Sequence, residues 1–121
     1  MNITGIELEE KDILYILTDA LETDSISYWA NEYDWERIKS KTDEIDGCVK
    51  VIYIKELNDQ ETEFTIPHIV NYETIKLGVE RIIKGEVEDS RIRQMILDDD
   101  IDSDGCDCII QAGLFGVLKY G

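Results

Sequence analysis

The chain has 121 residues, room for one domain with a single core, read as 1–121, and too little for two. Its 12 Lys and Arg against 28 Asp and Glu give a net charge of −16, which opposes nucleic acid and anionic membranes and favours basic protein surfaces or cations. With 43% hydrophobic residues it is expected to fold, and since no apolar run nears the roughly 18 residues of a membrane span and "MNITGIELEE" has neither a basic start nor an apolar core, a soluble cytoplasmic protein is expected.

The first periodic segment is "DILYILTDALETD". Ile13, Leu14, Leu17, Ala20 and Leu21 fall on one helical face with Ile16 widening it, which predicts a helix from about Glu9 to Thr23. The aromatic run "SISYWANEYDWERIKS" fits neither helical nor strand period, and Ser27, Tyr28, Trp29 and Trp35 are read either as strand or as an irregular segment with the tryptophans anchored in the core. In "GCVKVIYIKELNDQETEFTIPHI", Val49, Val51, Tyr53 and Lys55 alternate with Lys50, Ile52, Ile54 and Glu56, "LNDQE" makes a turn and "TEFTI" returns, an antiparallel hairpin. Apolar residues on both faces of its first strand predict that this strand is central or covered twice.

"NYETIKLGVERIIKG" carries Asn71 as N-cap, Lys84 and Gly85 at its stop, and a stripe of Tyr72, Ile75, Val79, Ile82 and Ile83. Residues 86 to 104 hold a short helical turn in which Ile92, Met95 and Ile96 share a face, followed by an acid cluster. "CDCIIQAGLFGVLKYG" is helix-like to about Leu114, with Gly113 and Gly116 suited to close packing or a turn. Phe115, Val117, Leu118 and Tyr120 exceed what so short a segment buries alone, so either self-association through this tail or a terminal edge strand is expected. The fold class is α+β, a short antiparallel sheet of two to four strands with helices packed on it.

Motifs for chemistry are sparse. Cys48, Cys106 and Cys108 are odd in number and include C-x-C rather than C-x-x-C, which points to buried or semi-buried thiols. The lone His68 follows Pro67 between apolar neighbours, and no nucleophile elbow, zinc-protease helix or phosphate loop is present, so a non-enzymatic protein without cofactor is expected. "DDDIDSDGCDCIIQ" matches half of a calcium loop. Asp100, Asp102, Asp104 and Gly105 fit positions 1, 3, 5 and 6, but Gln111 stands where a bidentate glutamate belongs. The competing reading makes Asp102, Asp104 or Asp107 the cap of the last helix, where the dipole favours negative charge.

The tail "DSDGCDCIIQAGLFGVLKYG", with "SYW" at Ser27 to Trp29 and the order hairpin then "YETIKLGVERIIKG", resembles a group of small acidic proteins from phages, prophages and plasmids of Gram-positive bacteria. Their ends follow D-A-D-x-A-D-x-I-x-Q-x-A-L-F-G-x-x-x-[YF]-G. Ser103, Cys106 and Gly113 replace alanines of that pattern with other small residues. The resemblance implies an accessory protein of a mobile element acting inside a bacterial host, and brings no catalytic residue with it.

Charge and resemblance together suggest an anti-defence inhibitor. It would block a host nucleic-acid-binding protein with a basic surface, a restriction or CRISPR effector, through a DNA-mimicking patch of Glu86, Glu88, Asp89, Asp98, Asp99, Asp100, Asp102 and Asp104, with Glu32, Asp34 and Glu36 secondary. A second reading is an oligomeric sponge for a nucleotide defence signal, its cations and aromatics drawn from Arg37, Arg81, Arg91, Arg93, Tyr28, Trp29 and Trp35. A third is a phage structural or assembly protein.

Overall fold

The structure is a computed structural model that describes residues 2–3, 6–41 and 44–121. Among them the chain forms a two-stranded ribbon, β1 (Asn2–Ile3) with β2 (Ile6–Glu7), then α1 (Glu10–Glu22), then a sheet of β3 (Ala30–Arg37), β4 (Val49–Leu57) and β5 (Phe64–Asn71). Three helices complete it: α2 (Tyr72–Ile83), α3 (Ser90–Leu97) and α4 (Ser103–Phe115). This is the expected α+β class. The ribbon was not foreseen, and the aromatic run resolves into strand β3.

Strand order β3-β4-β5, all antiparallel, puts β4 in the centre, as its two apolar faces require. Ile52, Ile54 and Glu56 of β4 turn towards the helices together with Val70 of β5, and these are buried. The turn between β4 and β5 is built on Asn58, whose Oδ1 accepts the backbone N–H of Gln60 (3.2 Å) and of Thr62 (3.1 Å). The returning strand runs past "TEFTI" to Asn71, which closes the strand and caps α2 by accepting Thr74 N–H at 3.2 Å.

The helical stripes are the expected ones. Ile13, Leu14, Ile16, Leu17 and Ala20 of α1, Ile75, Val79, Ile82 and Ile83 of α2, and Ile92 and Ile96 of α3 are buried, with Leu21, Tyr72 and Met95 half-buried at their edges. Helices α2 and α4 cross at Gly78 and Gly113, where a Cβ would stand 2.0 Å from the Ile109 carbonyl oxygen and 2.1 Å from that of Thr74. Contact between these two helices is therefore backbone to backbone. Gly116 ends α4 with φ of 73°, a left-handed cap. Arg81 of α2 donates to the carbonyls of Ala112 (2.6 Å) and Gly113 (3.2 Å), satisfying the last turn of α4 and placing a cation at its negative end.

The tail corrects the expectation of an edge strand and covers most of the apolar surface that self-association was expected to use. Residues 116–121 form neither an edge strand nor a bare apolar surface. Tyr120 stacks on Trp29, centroids 5.2 Å apart and planes 5° from parallel, and Phe115 meets Trp29 edge-on at 5.6 Å. The side-chain amide of Gln111 then does for the tail what a neighbouring strand would: its Oε1 accepts Tyr120 N–H (2.8 Å) and its Nε2 donates to the Tyr120 carbonyl (3.3 Å). Of the four tail residues in question, only Val117 remains well exposed, at 57%. No helix among the described residues is long and apolar enough to cross a membrane.

Candidate functional site

Two regions concentrate polar chemistry, one internal and one external. The internal one begins at Asp107 on α4, 7% exposed. Its Oδ1 accepts Trp29 Nε1–H at 2.8 Å and Gln111 Nε2–H at 2.9 Å, and its Oδ2 accepts the Tyr28 hydroxyl. Three donors thus converge on one buried carboxylate, which leaves neither of its oxygens unsatisfied. Burial foremost, and Asp107 next, raise the pKa of Tyr28, which keeps its proton and remains the donor.

A second buried carboxylate, Glu56 at 2% exposed, sits on the inner face of β4. Lys119 Nζ donates to its Oε2 at 2.6 Å, the Tyr120 hydroxyl donates to the same oxygen, and His68 Nε2 donates to Oε1 at 2.7 Å. Since an ionised carboxylate only accepts, these bonds fix the proton of His68 on Nε2. Phe115 closes the group edge-on against the imidazole at 5.5 Å. Burial pushes the Glu56 carboxyl up, but the bonds from Lys119, Tyr120 and His68 outweigh it and hold the pKa below the ordinary glutamate value.

A lowered folded-state pKa adds stability that is present above the unfolded value, about 4.3, and lost as pH falls through the folded one. Glu56→Gln is therefore expected to destabilise by about 2 kcal/mol at pH 7, a figure reduced from that of a fully buried pair because Lys119 reaches solvent. Chemical denaturation at pH 7 and pH 3 would check it. The gap between variant and wild type must narrow in acid; parallel curves would remove Glu56 from this role.

Asp107, Gln111, Phe115, Gly116 and Tyr120 all belong to these two networks or to the helix end beside them, and together they fasten the tail to Trp29. Glu56 and His68 were not legible as part of this site, because nothing in "IKELN" marks a residue that will meet Lys119, 63 positions away.

The external region is the acid cluster, and the structure sorts it. Asp89 caps α3, accepting Ile92 N–H at 3.0 Å, and Asp102 caps α4, accepting Gly105 N–H at 2.8 Å. Asp104 lies in the first turn of α4, 4.0 Å from Arg91. Asp98, Asp99 and Asp100 are all exposed at the C-terminal end of α3, and Asp99 adopts a left-handed φ of 53°. Glu86 and Glu88 are exposed in the loop before α3, at the other end of that helix. On β3, Asp34 and Glu36 are exposed, whereas burial foremost, with Asp24 beside it, raises the Glu32 carboxyl to about 7 and partly neutralises it.

The calcium loop is corrected by this placement. Asp102 already serves as a cap, Asp104 faces Arg91, Asp100 lies beyond α3, and Gln111 is fully buried and committed to Asp107 and Tyr120. Among the described residues no group of three or more His, Cys, Asp or Glu is placed to hold a metal ion. The capping reading holds, with Asp102 as the cap. The nucleotide set is dispersed likewise: Tyr28 and Arg91 share a groove with Lys119 and Tyr120, but Trp29 is buried, Arg81 caps α4, Arg93 donates to the Ile83 carbonyl at 3.3 Å, and Arg37 pairs with Glu22 at 3.4 Å. Trp35 is 49% exposed and not the core anchor it was read as, while Trp29 is.

The cysteines are inert in this setting. Cys48 and Cys106 are buried and Cys108 is half-buried. Burial, then nearby aspartates, push the thiols of Cys106 and Cys108 up to about 12 and about 11, far from a reactive thiolate at neutral pH. No family model, curated protein or solved structure matches the chain.

Proposed function

We propose that this chain is a non-enzymatic accessory protein of a bacterial mobile element that binds and blocks a host protein with a basic, nucleic-acid-gripping surface, such as a restriction or CRISPR effector. The observation that carries the reading is the placement of Asp98, Asp99 and Asp100. A helix C-terminus carries partial negative charge, so each carboxylate there costs roughly 0.3–1 kcal/mol where a lysine would add stability. No salt bridge engages any of the three among the described residues; Asp98 accepts only Gln94 Nε2–H at 2.9 Å from its own helix, and Asp99 and Asp100 turn the chain off the helix through their backbone N–H groups while their side chains stay exposed. Three exposed carboxylates at a negative helix end, on a chain of charge −16, favour a basic surface outside the fold. The bacterial mobile-element context is supported by the resemblance of the tail alone.

The test separates fold from function because the two predict opposite signs. Replacing Asp98 and Asp100 by Lys, and Asp99 by Asn, which tolerates a left-handed backbone, is expected to leave melting temperature unchanged or raise it. The same variant is expected to lose at least tenfold in affinity for a basic protein recovered from nuclease-treated bacterial lysate at low salt and identified by mass spectrometry. Unchanged affinity would sink the mimicry.

A further inference from the structure

The sheet spends one face on the core and leaves part of the other open, beyond the buried Val49 and Val51. Opposite the buried Ile52, Ile54 and Glu56, the alternate positions of β4 carry Tyr53 and Lys55, whose cross-strand partners on β5 are Ile69 and Pro67. Tyr33, the extra residue of a bulge in β3, lies beside them, its ring centroid 6.3 Å from that of Tyr53. Ile69 is 55% and Tyr33 50% exposed, and these side chains with Tyr53, Pro67, His68 and Leu114 line a shallow hollow. Exposed tyrosines around an aliphatic floor are the composition of a contact surface rather than of a solvated sheet.

The edges of the same sheet are closed to added strands. Pro67 withholds an N–H on edge strand β5, and edge strand β3 shifts register twice, between Glu32 and Asp34 and between Glu36 and Arg37. A partner is thus offered the face and not the edge.

The charges around the face select among occupants. Asp34 and Glu36 stand exposed along β3, with Glu36 accepting the Tyr53 hydroxyl at 2.8 Å. Lys55, the cation beside Tyr53 and Tyr33 on this face, already lies over the Tyr33 ring at 5.3 Å. A second copy docking through the same face would set its own Asp34 and Glu36 and another −16 against this rim, with its Lys55 committed in the same way. We infer that the open sheet face is the anchoring surface for a protein segment that carries apolar side chains flanked by Lys or Arg, the apolar groups seated between Tyr53 and Ile69 and the cations on Asp34 and Glu36. This rests on the reading of a basic protein partner and deepens it. The acids beyond α3 attract the partner at a distance, and the aromatic hollow holds it.

Two ten-residue peptides of equal charge make the test, one alternating Lys with Leu and the other Lys with Ser, titrated into the intact protein at 0.15 M salt and followed by amide chemical shifts. The Lys/Leu peptide is expected to bind at least tenfold tighter, with its extra shifts centred on Tyr33, Tyr53 and Ile69. The double variant Tyr33→Ser, Ile69→Ser, both positions exposed, is expected to keep the fold by circular dichroism and reduce the advantage to nothing. A leucine advantage that survives in that variant, or extra shifts centred on α3, would overturn the inference and leave the basic-partner reading standing. Failure of both peptides to bind would overturn both. Self-association of the wild type through this face, abolished by the same variant, would replace the partner with a second copy and overturn it as well.

Discussion

Trp29→Ala should cost about 3–5 kcal/mol, enough to bring a domain at the low end of ordinary stability, about 5 kcal/mol, close to its unfolding midpoint. Trp29 is fully buried, and three separate contacts end on its indole: the Tyr120 stack, the Phe115 edge, and the N–H given to Asp107. Removing the ring empties the space beneath the tail and leaves a buried carboxylate short of a donor, so the cavity and desolvation costs add. Trp29→Phe separates them, since it keeps an aromatic surface and loses only the donor, and about 1–2 kcal/mol is expected. Urea unfolding gives both values. Tryptophan emission gives an independent readout, because the chain has two tryptophans and the remaining Trp35 is half exposed. A double-mutant cycle between Trp29→Leu and Tyr120→Leu, each of which removes one ring of the stack, is expected to show a coupling of about 0.5–1.5 kcal/mol. Zero coupling would mean that the tail is not fastened where the structure puts it.

The second large effect concerns two hydrogens. Gly78→Ala and Gly113→Ala would each improve intrinsic helix propensity by roughly 1 kcal/mol. Each should nevertheless destabilise, by about 3 kcal/mol, because the added methyl meets a backbone carbonyl of the facing helix at 2.0 or 2.1 Å and backbone cannot rotate aside. Relief requires α2 and α4 to move apart, which opens the core along the whole crossing. Gly105→Ala is the internal comparison. There the methyl would meet the Cγ2 of Ile101 at 2.7 Å, a side-chain branch that a turn about χ1 of this half-buried loop residue can move where backbone cannot, and a smaller cost of about 1 kcal/mol is expected. Thermal unfolding of the three variants checks the order, and a Gly78→Ala protein as stable as wild type would show that the helices do not touch at this point.

The acids illustrate how a composition misleads until they are placed. The 28 carboxylates form a single field as far as sequence is concerned, yet Asp107 and Glu56 sit inside the fold, Asp89 and Asp102 cap helices, and Glu32 is partly neutral. Those left over for a partner are fewer and sit at definite places: Asp98 to Asp100 and Asp104, Glu86 and Glu88, and Asp34 and Glu36 on β3. Half of the expected patch was legible because in a run such as "DDD", which ends α3 through its backbone, the carboxylates themselves stay exposed. The rest was not, because whether a carboxylate is a cap or a contact depends on a hydrogen bond that the run itself does not announce.

Sequence by itself determined the helices α1, α2 and α4, β4 as a central or doubly covered strand, and the cap at Asn71, and it offered an aspartate cap for α4 and close packing at Gly113 as readings between which the structure chose. Each of these is written in local terms: a period of 3.6 or 2, a polar residue before an apolar run, a glycine within a helix. Only the tertiary structure decided that "ANEYDWER" becomes a bulged edge strand, that Trp29 in the turn before it is an anchor while Trp35 is not, and that the tail lies against Gln111 instead of pairing as a strand. These outcomes rest on contacts between residues far apart in the chain, 78 positions from Trp29 to Asp107 and 64 from Glu56 to Tyr120. Local periodicity reports which side of an element is buried. It carries no information about which distant side chain will be waiting there, and that is fixed only when helices and sheet pack and every buried polar group must find its partner.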